Sequence, residues 1–192
     1  MNYFILFIKK TLRYLLRPLS FLPAILVMVM IFQFSAQDAG ESSSLSRKIT
    51  TKIVSSINYR THRNWTPQEQ AANVRQLEYY VRKMAHFSEY LLLAVTLAIP
   101  LYVHGVRGIW LLLLTELICI IYASSDEYHQ MFVSGRSAQL KDVLIDSAGA
   151  LCGILISQPV MYLGRKTIFR PLSLENERRI KKEYKERKKQ EK

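Results

Sequence analysis

Four apolar runs decide what this 192-residue chain can fold into. Leu19 to Phe34 carries no charge, Phe87 to Val103 holds only Glu89, Ile109 to Ala123 only Glu116, and Val143 to Leu163 only Asp146. A helix needs about 20 mainly apolar residues to cross a hydrocarbon core ~30 Å thick, and shorter ones manage when flanking side chains reach the interface. A soluble helical bundle would need amphipathic faces, and four such runs leave too few. The expected fold is therefore an all-α integral membrane protein with about four transmembrane helices, near 19–34, 87–103, 109–123 and 143–163. A basic N-terminus (1–18), an external loop (35–86) and a basic tail (164–192) complete it.

The first run follows Lys9, Lys10, Arg13 and Arg17, as the apolar part of a signal peptide would. It is longer than usual for that role and no small-x-small pair ends it, so it reads as a retained anchor. With four spans, 17 of the 27 basic residues fall on the side of the two termini, which the positive-inside rule places in the cytoplasm of a multi-pass protein of the cell membrane. The eight basic residues of the long loop weigh the other way. Cys119 and Cys152 lie inside spans, outside any metal or redox spacing, and read as small hydrophobes.

The loop carries helical signals of its own. Leu45, Ile49, Ile53 and Ile57 recur every four residues after serines able to cap, the pattern of a short amphipathic helix on the outer membrane surface. Thr66, Pro67 and Glu69 spell a capping box, and Val74, Leu77, Val81 and Met84 continue at helical spacing. One long helix from 67 to about 99, ending near Pro100, is expected.

Polar residues then fall into register. Arg82, His86 and Glu89 share one face of the second span. Glu116 and Glu127 are eleven residues apart on the third, and Asp142, Asp146, Gly149 and Gly153 form a stripe on the fourth, its glycines suited to close helix approach. Arg82 to Glu89, Asp126 to Gln130 and Asp142 to Asp146 thus all point to one layer near the outer leaflet. Arg82, Lys83, Arg136 and Lys141 nearly balance Glu89, Asp126, Glu127, Asp142 and Asp146, as a set of pairs locking the helices in register would. Intramembrane ionisable groups nonetheless read as functional by default, and two histidines, His86 and His129, stand among them.

RKMAHFSEY (82–90), DEYHQMFVSGRSAQLKDVLIDSAGALCG (126–153) and FSAQ (34–37) together resemble the VanZ-like family over residues 20 to 160. Where that family commonly has Pro-Gly before the arginine, this chain has Ser134 and Gly135. The resemblance implies a small bacterial membrane protein, mostly of Gram-positive organisms, whose founding member is linked to teicoplanin resistance. Its matching positions are Ser35, Gln37, Arg82, Lys83, His86, Glu89, Tyr90, Asp126, Glu127, Gln130, Arg136, Asp142 and Asp146, to which the residues themselves add His129.

Three uses of the layer compete. It binds a membrane lipid or lipid-linked cell-wall component, with Arg82, Lys83 and Arg136 on phosphate; it hydrolyses a phosphoester or acyl bond with His86 or His129 as base; or it relays or transports protons or ions through Glu116. Binding leads: no serine or cysteine nucleophile has a local signature, Glu116 lacks a visible partner, and His86, Glu89 and His129 make a weak zinc pattern. No cofactor or metal is expected. In the tail, Glu175–Arg179, Glu177–Lys181 and Glu183–Arg187 at i, i+4 suit a solvated helix drawn to anionic lipid, and no nucleic-acid-binding motif accompanies the basic run. Oligomeric state is not legible.

Overall fold

The computed structural model describes residues 18–166, 182, 184 and 186–190. The basic segment before Pro18 and the three tail pairs lie outside the described residues. After a 3-10 turn, Pro18–Phe21, come α1 (Leu22–Ser35), α2 (Ala39–Thr61), α3 (Pro67–Val103), α4 (Ile109–Gln130) and α5 (Leu140–Lys166). Among the described residues there is no strand. The turn with α1, and α3, α4 and α5, are long and apolar enough to cross a membrane, and the chain is a multi-pass membrane protein.

Three elements differ from the expectation at their ends. Helix α4 continues past Ala123 to Gln130, because no Gly or Pro interrupts it and Asp126, Glu127 and Gln130 turn inward, all buried. Helix α5 starts at Leu140, so Asp142 lies in its first turn. Helix α3 runs through Pro100 to Val103: a proline this near the C-terminus removes one hydrogen bond, and its carbonyl still accepts the His104 N–H. At the other end of α3 the Thr66–Glu69 capping box is closed in both directions.

Helix α2 is capped by Asp38, whose carboxylate accepts the Glu41 N–H at 2.8 Å, and not by the serines. Ser44 and Ser46 lie inside the helix and bond back to carbonyls of the preceding turn. Its buried residues are Ser46, Thr50 and Val54, whereas Leu45, Ile49, Ile53 and Ile57 are exposed. The polar face thus packs on α3 and the apolar stripe looks outward.

Helix α3 is the hub, touching every other helix. Its Tyr90, Leu93, Ala94 and Leu97 join Ala24, Val27 and Ile31 of α1, Cys119 and Ala123 of α4, and Ala150 and Ile154 of α5 in the main core. The closest seam is with α5. A Cβ on Gly149 would collide with the Phe87 carbonyl, and one on Gly153 with the Leu91 carbonyl, so glycine alone admits this backbone-to-backbone approach.

Candidate functional site

The tight α3–α5 seam fixes the relative height of α3 and α5, and polar groups meet just above it. Lys83 of α3 forms an ion pair with Asp142 of α5, both nearly buried. One turn on, His86 Nδ1 stands 3.6 Å from Asp146 Oδ1. Asp146 is fully buried and neither of its oxygens receives a hydrogen bond. The Tyr90 hydroxyl next along α3 is likewise buried without a partner.

The end of α4 supplies the facing wall. Gln130 Nε2 donates to Asp126 Oδ2 at 3.3 Å, and Ser35, the last residue of α1, adjoins the same carboxylate. Glu127 Oε2 accepts the Gln139 N–H at 2.7 Å and so ties α4 to the start of α5. Between them the chain turns at Gly135, whose positive φ of 72° suits glycine. That conformation brings Ser134 O to the Ala39 N–H, 3.2 Å away, stitching the turn to the start of α2. The departure from Pro-Gly therefore keeps the glycine that the turn requires.

Arg136 leaves this turn and donates from Nη2 to the Phe34 carbonyl at 3.1 Å. Burial lowers its pKa from the ordinary value, Asp126 opposes that shift, and nearby Arg82 adds to it. Two guanidiniums thus share one space. Arg82 is steadied from behind by Glu78 Oε1 at 3.6 Å and donates to Ser43 Oγ at 2.9 Å. Glu78 also pairs with Arg47 and accepts from Ser46.

Two cavities adjoin here. One, of about 240 Å³, is bounded by α1, α2 and α3, with Phe34, Leu45, Ile49 and Val81 on its apolar side and Gln37, Glu89, Asp126 and both arginines on its polar side. The other, of about 120 Å³, is mainly polar and is lined by Lys83, Gln130, Gln139 and Asp142 among others. Arg82, His86 and Arg136 line both. The first has no net formal charge from its Arg, Asp and Glu residues; the second has an excess of cations.

Not every expected residue lines these cavities. His129 packs its ring on Phe32, centroids 4.7 Å apart, and lines neither cavity, so His86 alone is placed to act on a ligand there. Glu127 and Asp146 stand behind the walls. Glu116 is mid-helix in α4, and among the described residues no hydrogen bond or ion pair reaches its carboxylate. No group of three or more His, Cys, Asp or Glu is arranged to hold a metal ion among the described residues.

Glu78 is the residue that reading the sequence missed. Its signal was present: it precedes Arg82 by four residues, on the same helix face. The apolar wall was missed too, since Leu45 and Ile49 read simply as a membrane-facing stripe.

No curated protein and no solved structure matches the chain. The family model described as VanZ/LLP1 matches residues 20–162, from the turn before α1 almost to the end of α5, and so takes in both cavities and every side chain that lines them. The chain belongs to the VanZ/LLP1 family.

Proposed function

We propose that the polar end of the bundle binds the phosphate of an envelope lipid, or of a lipid-linked cell-wall component, at the outer leaflet, and thereby lowers susceptibility to teicoplanin-type glycopeptides. One observation carries the reading: Arg82 and Arg136 face two adjoining cavities, one with an apolar side and the other with an excess of cations. Paired guanidiniums suit phosphate oxygens, and the apolar side suits the hydrocarbon attached to them. The drug class comes from family membership, and the outer leaflet from the basic bias that assigns both termini to the cytoplasm.

Mass spectrometry of lipids co-purified with wild type and with Arg136→Ala tests the binding. A phosphate-bearing lipid enriched in wild type and lost from the variant supports it; identical lipid profiles sink it. Glycopeptide susceptibility of cells expressing wild type, Arg82→Ala, Arg136→Ala or a truncation after Arg170 at matched levels tests the consequence. Protection should vanish with either arginine variant and weaken modestly with the truncation. Orientation is tested by impermeant labelling of intact cells carrying Asn64→Cys or Gln190→Cys. Label at 64 alone agrees with the assignment, and label at 190 alone moves the site to the inner leaflet.

A hydrolytic role is the second reading, favoured by the His86–Asp146 pair, in which a buried carboxylate is placed to orient a histidine that faces both cavities. It requires that the co-purified lipid be consumed on incubation and persist with His86→Gln.

A further inference from the structure

The larger cavity presents charges of both signs that are not paired with each other. Arg136 donates to a backbone carbonyl and Arg82 to Ser43, with Glu78 behind it, so among the described residues neither arginine forms an ion pair with an acid of the cavity. On the same polar side, among the described residues no hydrogen bond or ion pair reaches Glu89, and Asp126 accepts from the neutral Gln130 amide, with Ser35 beside it. Where cations and anions line one space without a direct ion pair between them, the complement is a ligand bearing both charges. The apolar side of the same cavity then asks for a hydrocarbon chain.

Resting on the lipid-phosphate reading, we propose that the ligand is a zwitterionic phospholipid carrying a primary amine, of the phosphoethanolamine type. Its phosphate lies between Arg82 and Arg136, toward the cationic second cavity. Its ammonium reaches Glu89 and Asp126. The chain leaves past Phe34 and Ile49 into the membrane. An anionic lipid without the amine satisfies the arginines and leaves two carboxylates facing its head group.

The test is native mass spectrometry of the full chain in a non-ionic detergent, with equimolar phosphatidylethanolamine and phosphatidylglycerol of identical acyl chains. Wild type should retain the ethanolamine lipid at least tenfold better. Glu89→Gln should abolish the preference by weakening that lipid alone, whereas Arg136→Gln should weaken both. Free O-phosphoethanolamine and inorganic phosphate at the same concentration should displace neither lipid. If wild type holds the two lipids equally and Arg136→Gln releases both, the zwitterion is wrong and the phosphate site stands. If neither lipid is retained, or both survive Arg136→Gln, both readings fall. Displacement by free O-phosphoethanolamine would remove the lipid chain from the proposal. The comparison on wild type requires no variant to fold.

Discussion

Helix α3 meets its two long neighbours in opposite ways. Against α5 it packs backbone to backbone, through Gly149 and Gly153, with the Lys83–Asp142 ion pair and the His86–Asp146 contact confined to one end. Against α2 it packs through hydroxyls, Glu78 and the buried Val54, while Leu45, Ile49, Ile53 and Ile57 of α2 stay exposed. In hydrocarbon no hydrophobic force drives helices together, so close approach and dispersion must hold them. Beside the bilayer surface, an apolar stripe can lie against lipid and leave the polar face for the partner helix. The two seams fit two different solvents, hydrocarbon for α5 and, on the expectation that α2 is an interfacial helix, the bilayer surface for α2.

The sharpest way to break this contrast is to give Gly149 a side chain. In Gly149→Leu the new carbon meets fixed α3 backbone, and we expect a loss of about 3 kcal/mol or more, seen as little monodisperse protein after extraction. A variant melting with wild type would mean that the helices stand further apart.

Next comes the ion pair above that seam. Asp142→Ala leaves Lys83 unpaired in a nearly buried place and should cost about 3 kcal/mol in thermal unfolding. Adding Lys83→Met should recover part of the loss, whereas strict additivity would show that the two do not interact.

The α2 seam should respond more gently. Glu78→Ala frees Arg47 and Arg82, but their side chains are 64% and 39% exposed, so screening limits the cost to about 1 kcal/mol. A cost as large as that of Asp142→Ala would erase the distinction between the seams. Smallest of all, Thr66→Ala opens the capping box of α3 outside the bundle core and should lower stability by at most about 1 kcal/mol, with lipid retention unchanged.

The four spans and the Thr66 cap were legible because each is local: a run of apolar residues, or a spacing of three, carries its own physics. The Asp142, Asp146, Gly149, Gly153 stripe was legible for the same reason, as a helical period. What sequence could not supply was pairing across elements. Nothing in the spacing says that Lys83 takes Asp142 while His86 takes Asp146, or that His129 turns to Phe32. The cap of α2 was misread because several serines compete with one aspartate, and only the start of the helix decides which of them stands at its end.

The length of α3 has a consequence for traffic at the membrane. Its 37 residues make a rod roughly 55 Å long, while the hydrocarbon it crosses is about 30 Å thick. Something near 25 Å therefore stands clear as a mast, with α2 stayed alongside it and the larger cavity at its foot. Bulky molecules reaching for whatever is stepped there must come round the mast, whereas a lipid drifting in the plane of the leaflet meets no such obstacle. On the lipid-binding proposal, a rod of this length would favour visitors that arrive within the leaflet over those that arrive from the solvent.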